Sequence, residues 1–472
     1  MSGIIKTKIY SIILGTVGIG IVAQVLNLNG MISSLGSVGI PLGLTKYVSI
    51  WESEKNWKAI REAIAKFMAI LLIFGVILTI LTIIFSQKIS NLILDSDSYS
   101  LLIIIVAFSF PFSLIYTIFE STVRGLKQFS QYAKLTVLVS SLTVIISVIF
   151  VYSFRELGVV LAIVLSALVN TIIFTYYFHK KNIFTFRDLK FTNYSITPEL
   201  KKIFAIGLAG LTDLFFTQLV LISIRSIIVR YLGIETNGIY QTIYVISSNY
   251  LMIFFMSIAA YSLPVLSELN DVSKINIQIN DIFKLTLLLV FPIISITYVF
   301  RDYLILLFFS SKFSSASNFF IYNFVGDFFK SLSWVLGAWL IPRSKLRLWV
   351  TLAVVYSILY FLAFFVLIKF VFLDLKSVVI AYAFVNIFHF AINYYFIRKL
   401  QFFRFNKDVI KILSISMICL LTLFFASFIN VLYGYVLILP VIAIWVKFCI
   451  RKEEALKLIK IFKNKIYPQK VI

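Results

Sequence analysis

Apolar runs long enough to cross a bilayer follow one another along nearly the whole of this chain, and that feature decides what it can fold into. A membrane-spanning helix needs about 20 mostly apolar residues. Of the 472 residues, 61% are hydrophobic and only 13% charged, which is more apolar surface than a soluble core of this size could hide. The chain therefore reads as an all-α polytopic membrane protein with no soluble domain of ordinary size between its spans. The formal charge of +23 is not gathered into a basic domain of the kind that binds nucleic acid. It is spread over the connections, as basic loops held on the cytoplasmic side would be. Cys419 and Cys449 lie in apolar runs and show no disulfide or metal spacing. Lys6 and Lys8 precede an apolar run, but no small-residue cleavage site leads into a soluble mature chain, which argues against a cleaved signal peptide.

Thirteen spans are expected, at about 16–50, 59–86, 99–124, 131–153, 157–179, 201–232, 237–268, 282–309, 316–341, 347–370, 375–398, 409–428 and 432–450. If the connections after the odd-numbered spans up to the eleventh, and the tail, face the cytoplasm, they hold about threefold more Lys and Arg than the outside segments. This orientation places the C-terminus inside. The basic tail 451–472 then reads either as a helix lying on the anionic inner leaflet or as a solvated topology anchor.

An internal repeat organises these spans. Leu14-Gly15 and Gly20-Ile21 recur as Leu232-Gly233 and Gly238-Ile239, an offset of 218 residues. The same offset relates Lys66 to Lys284, Lys127 to Lys345, Glu156-Leu157 to Asp374-Leu375, and Tyr176-Tyr177-Phe178 to Tyr394-Tyr395-Phe396. A unit of six spans is even in number, so both copies share one orientation and are related by an axis along the membrane normal. The expected plan is a first lobe at 1–180, a second at 199–399, two further transmembrane helices at 409–450, and the tail. Mapped back by the offset, most of the first lobe's first helix falls before Met1. That helix is expected to be largely missing, through a late start or a truncated gene, and Leu14-Gly15 becomes the turn out of it.

Charges inside spans cost a few kcal/mol each on insertion scales, so each is a functional candidate. Asp213 lies near the middle of the sixth span, and Arg225 about 10 Å from its outer end at 1.5 Å per residue. Arg230, nearer that end, reads as an anchor reaching lipid headgroups. Asp327 and Lys330 share a face of the ninth span and either neutralise each other or serve a substrate. Glu120 and Arg124, four apart, raise the same choice, and Lys46 is either a substrate contact or a topology determinant. His179 and His389 read more readily as packed or interfacial side chains than as ligands. Pro41, Pro111, Pro264 and Pro292 lie in spans and are expected to kink them. No Walker lysine loop, HExxH motif or nucleophile elbow is present, so nothing points to an enzyme, an ATP-driven pump, a metal or a cofactor.

Leu14-Gly15 with Gly18, Gly20 and Gln24, and above all Gly39-Ile40-Pro41-Leu42-Gly43-Leu44-Thr45-Lys46-Tyr47-Val48, resemble the second helix of Wzx-type polysaccharide flippases. These belong to the multidrug/oligosaccharidyl-lipid/polysaccharide exporter superfamily, with the lipid II flippases and MATE drug exporters. The resemblance implies two six-helix bundles in parallel pseudo-two-fold repeat plus two C-terminal helices. It implies a flippase that moves an undecaprenyl-diphosphate-linked oligosaccharide repeat unit across the bacterial cytoplasmic membrane for O-antigen, capsule or exopolysaccharide assembly. Membrane lipids and a polysaccharide polymerase would be its partners. On this reading Arg225, Lys330, Arg124 and Lys46 contact the diphosphate or line its way in, and Asp213, Asp327 and Glu120 are charge partners or coupling-ion sites. The helix pair at 409–450 would form a groove for the polyprenyl tail, by analogy with the lipid II branch. Two other readings stand beside it: a MATE-type ion-coupled exporter of small organic cations, which would favour buried carboxylates over buried cations, and a non-transporting membrane scaffold.

Overall fold

The computed structural model describes residues 2–185, 188, 198–250, 258, 262, 265–266, 268–269, 271–340, 343 and 345–450. Among them the regular structure is helical. The helices are α1 Ser2–Gly36, α2 Ile40–Ser53, α3 Trp57–Ile84, α4 Ser86–Leu94, α5 Ser100–Ala107, α6 Phe110–Gly125, α7 Phe129–Lys180, α8 Pro198–Leu232 and α9 Ile234–Tyr244. They continue as α10 Val272–Val299, α11 Arg301–Phe308, α12 Phe320–Ala338, α13 Leu346–Phe370, α14 Lys376–Gln401, α15 Lys407–Ile429 and α16 Val431–Cys449. Nine of these are long and apolar enough to cross a membrane, and the pair Asp97–Ala107 and Phe110–Gly125, bent by 42°, makes a tenth when taken as one broken span. The chain is an all-α, multi-pass membrane protein.

The thirteen expected spans map onto these helices with instructive differences. Spans 131–153 and 157–179 both fall in α7, whose backbone breaks at Arg155 with φ of 52°. There the chain doubles back, bringing the Phe150 carbonyl against Gly158. Span 316–341 corresponds to α12, which Asn323, Asp327 and Lys330 make too polar to stand among the nine. Span 237–268, with Pro264, lies partly outside the described residues, and the tail 451–472 lies wholly outside them. The expected continuous helix 16–50 is instead divided between α1 and α2. Val38 and Gly39 adopt left-handed backbone there, and Pro41 sits in the first turn of α2, where its missing N–H and fixed φ are tolerated. Pro111 likewise opens α6 at the bend, whereas Pro292 lies within an unbroken α10.

Two compact units divide the chain. The first comprises Met1–Ile243, Ile305–Ala316 and Leu346–Val378, and the second Tyr244–Leu304, Ser317–Lys345 and the described residues of Val379–Ile472. In the first, α2, α3 and α6 enclose a core of Leu44, Ile64, Phe67, Leu114, Ile118 and Phe119. In the second, the α15–α16 hairpin packs on α10 through stacked Phe291 and Trp445, 4.6 Å apart, and through Tyr298 against Phe424. The Trp445 indole donates to Ser416 at 2.8 Å, which satisfies its polar edge inside the packing.

The sequence repeat has a structural counterpart within the first unit. Gly15 interrupts α1 with φ of 69°, and Gly233, 218 residues on, separates α8 from α9 with φ of 88°. Both copies therefore turn out of one helix and into the next on a left-handed glycine, as Leu14-Gly15 led one to expect. Five residues later α1 and α9 cross. A Cβ on Gly20 would strike the Ile234 carbonyl, and a Cβ on Gly238 the Thr16 carbonyl. Thr16 and Ile234 are themselves one offset apart, so the contact is self-complementary about a local two-fold axis. Because backbone is met on each side, neither glycine can gain a methyl without parting the helices. Overpacking of this kind costs about 1–3 kcal/mol. Gly20→Ala and Gly238→Ala are each expected to lower the melting temperature of the detergent-solubilised protein, and unchanged melting would show that the crossing does not bear on stability.

Candidate functional site

Two polar clusters sit inside apolar packing, one in each unit, and each is built from helical periodicity. In the second unit, steps of four and three place Asn323, Asp327 and Lys330 on one face of α12. Steps of four, three and four place Tyr382, Asn386, His389 and Asn393 on one face of α14. The Asp327 carboxylate, in a residue only 2% exposed, accepts from the Ser247 hydroxyl at 2.6 Å, the Tyr382 hydroxyl at 2.8 Å and the Asn323 amide at 3.4 Å. No direct ion pair joins Asp327 to Lys330. The Lys330 ammonium instead lies over the Tyr382 ring, 5.6 Å from its centre. One tyrosine thus serves both charges, the carboxylate through its hydroxyl and the ammonium through its face. Further along, His389 Nδ1 is 2.7 Å from the Ser333 hydroxyl, and Asn393 donates to Ser333 at 3.0 Å, so His389 is a hydrogen-bonded packing residue. Oxygen donors gathered about one buried carboxylate can take up a proton or a hard cation. Among the described residues no group of three His, Cys, Asp or Glu side chains is placed to hold a metal.

In the first unit the cluster forms around Arg225, which is fully buried. Asn237, Tyr240 and Gln241 recur at helical spacing on α9 and meet it together. Arg225 Nη1 donates to the Asn237 carbonyl at 3.1 Å and Nη2 to the Gln241 carbonyl, and the guanidinium lies 4.8 Å from the centre of the Tyr240 ring. The Tyr240 and Tyr360 hydroxyls are 3.3 Å apart, and Asn237 donates on to the Gly20 carbonyl at 2.7 Å. The cation is therefore tied into the glycine crossing by a single amide.

The remaining candidates are more exposed. Arg124, in the last turn of α6, pairs with Glu120 at 3.7 Å, and Glu120 also accepts from the Tyr132 hydroxyl at 2.8 Å. The Arg124 side chain is 43% exposed, a setting in which such a pair contributes little to stability. Lys46 is exposed on α2. The side chain of Asp213 lies outside the described residues. Arg230, expected to reach headgroups, is half-exposed and pairs with Asp95 at 3.1 Å, where α4 ends beside it. Sequence reasoning singled out Asp327, Lys330 and Arg225 but missed the neutral groups that hold them. The spacing of Tyr382, Asn386, His389 and Asn393 was the available signal for α14; Ser247 offered none.

The described helices are those of an all-α, multi-pass membrane protein that buries a polar cluster in each of its two units. A solved multidrug-resistance MATE family transporter of the MOP superfamily, in an inward-facing conformation, superposes with a TM-score of 0.74 at 15% identity, covering 85% of this chain and 94% of that one. The family model for polysaccharide biosynthesis protein matches residues 2–270. The chain belongs to the polysaccharide biosynthesis protein family, as the resemblance of its opening stretch to Wzx-type flippases implied. It is also similar to the lipid III flippases of Escherichia coli (strain K12) and Shigella flexneri, each 23% identical over 353 residues, spanning 74% of this chain and 83% of the relative.

The doubled role of Tyr382 is open to test. Tyr382→Phe removes one buried hydrogen bond to a charged group and keeps the ring, a loss of about 1.5–3 kcal/mol. Tyr382→Leu removes the ring under Lys330 as well and is expected to lower thermal stability further. Equal melting of the two variants would show that the ring face contributes nothing to holding Lys330.

Proposed function

We propose that this protein is a flippase carrying an undecaprenyl-diphosphate-linked oligosaccharide repeat unit from the inner to the outer leaflet of a bacterial cytoplasmic membrane, by alternating access of lobes 1–180 and 199–399. The observation that carries this reading is Lys330, a lysine within α12 that rests on an aromatic ring and is not consumed by the aspartate three residues away. A cation kept in an apolar setting is suited to a diphosphate, which is anionic and accepts several charge-assisted hydrogen bonds. The family and the lipid III flippase names of its relatives support a lipid-linked substrate.

In this scheme Arg225 and Lys330 contact the diphosphate, Arg124 and Lys46 line the cytoplasmic approach, and Asp213, Asp327 and Glu120 are charge partners or coupling-ion sites. The helix pair at 409–450 holds the polyprenyl tail, and the C-terminus lies in the cytoplasm. The rival reading, a MATE-type exporter of small organic cations, is favoured by one observation, the buried and fully hydrogen-bonded Asp327.

Arg225→Gln and Lys330→Gln are expected to abolish surface polymer in a flippase-null strain while the protein remains inserted at normal abundance; undiminished polymer would overturn the assignment. Cells carrying Asp327→Asn separate the rival, since loss of organic-cation efflux with intact polymer would favour the exporter. A reporter active only in the cytoplasm, fused after Ile472, is expected to be active, and a silent fusion would reverse the orientation.

A further inference from the structure

A cavity of about 450 Å³ lies within the first unit, where the first turn of α3, the connection from α6 to α7 and the last turn of α7 converge. It is distinct from the Arg225 cluster. Its charged lining is all of one sign, Arg61 and Lys181. The other polar side chains are the amides Gln128, Gln131 and Asn182, the Tyr177 phenol and the Trp57 indole, and no carboxylate faces it.

Three hydrogen bonds from different elements fix the walls. Arg61 donates from Nε to the Ile183 carbonyl at 3.2 Å and from Nη2 to the Asn182 carbonyl at 2.8 Å, which pins the start of α3 to the end of α7. The Tyr177 hydroxyl donates to the Gln128 side-chain carbonyl at 2.7 Å. These bonds use acceptors and leave donors. Arg61 engages two of the five N–H groups a guanidinium carries, and Gln128 has its carbonyl taken and its NH2 end left over. With two cations and no acid in its lining, and amides that can each turn an NH2 group toward a ligand, the cavity favours an anion. The depth of the site narrows the choice further. It lies at the ends of membrane spans, and Trp57 and Tyr177 are the amphipathic aromatics that settle at headgroup level. Its volume falls in the range of ordinary ligand pockets, about 300–1,000 Å³.

The internal repeat supplies a control. At the offset of 218 residues, Trp57, Arg61, Gln128, Gln131 and Asn182 become Ile275, Ile279, Leu346, Trp349 and Leu400, while Tyr177 and Lys181 persist as Tyr395 and Lys399. The second copy therefore keeps the aromatic and the lysine common to both span ends but lacks the second cation and all three amides. The donor-rich lining is a property of this place in the chain and not of the repeated architecture.

We propose that this cavity binds the phosphate of an anionic membrane lipid headgroup, at a site separate from the transport pathway. This goes beyond the flippase reading and does not depend on it. The same chemistry would accept free phosphate, so the test separates the two sources. The full chain, purified in neutral detergent, is titrated with phosphatidylglycerol, with phosphatidylcholine and with inorganic phosphate, following thermal unfolding and the lipid that co-purifies. Phosphatidylglycerol is expected to raise the melting temperature and to be retained, and the other two are not. Lys181→Gln, at an exposed position just after α7, and Gln131→Leu, at a half-buried one, are each expected to weaken the phosphatidylglycerol effect about tenfold, as loss of a charge-assisted contact would. Lys399→Gln, the equivalent change in the second copy, is expected to leave it intact. Equal stabilisation by both lipids, an effect matched by inorganic phosphate alone, or wild-type response in Lys181→Gln would each overturn the proposal. No arm measures transport, so a failure of the flippase reading would leave this result standing.

Discussion

Helices in a bilayer gain nothing by hiding from lipid tails as apolar as themselves, so close contact between backbones and rings has to hold them together. The rest of this structure depends on that constraint. In the first unit it is met by the crossing of α1 and α9, where Gly20 and Gly238 admit carbonyls of the opposite helix. In the second it is met by interlocked aromatics, with Phe291 on Trp445 and Tyr298 on Phe424 seating the last two helices. Small residues bring backbones together and large ones fill what the helices leave between them. Both solutions arise from one shortage, the absence of a hydrophobic drive inside hydrocarbon.

The polar clusters follow from the same shortage of water. A charge placed among apolar side chains must find its solvation in the protein, and this chain supplies it with neutral groups at helical spacing. Asp327 collects two hydroxyls and an amide, and Arg225 collects two amide carbonyls and a ring face. These settings keep each charge in place without cancelling it against a close counterion among the groups just named. The buried arginine is also mechanically tied to the crossing, since Asn237 bonds both to it and to the Gly20 backbone.

Much of this was legible from residues alone because the physics is local. Run length gave the spans, and the offset between Leu14-Gly15 and Leu232-Gly233 located two left-handed turns, since only glycine adopts that backbone cheaply. The break after Gly36 was missed because an apolar run reads as one helix whether or not it turns within the membrane. Charges were easy to find, being rare in such sequence, but their surroundings were not. Ser247 reaches Asp327 across 80 residues of chain, and nothing in the composition around it distinguishes it from other serines. The partner of Arg230 was hidden for the same reason, because Asp95 is 135 residues away.

The paired contact at Gly20 and Gly238 has a kinematic consequence. When two helices meet through a contact that maps onto itself under a half-turn, sliding in either direction along one helix drives a carbonyl off one glycine and into the shoulder beside the other. Rotation about the local axis disturbs both contacts equally, since the half-turn relates one to the other. The crossing therefore acts as a registration pin that fixes how far one helix can slide along the other, made here from two missing methyl groups.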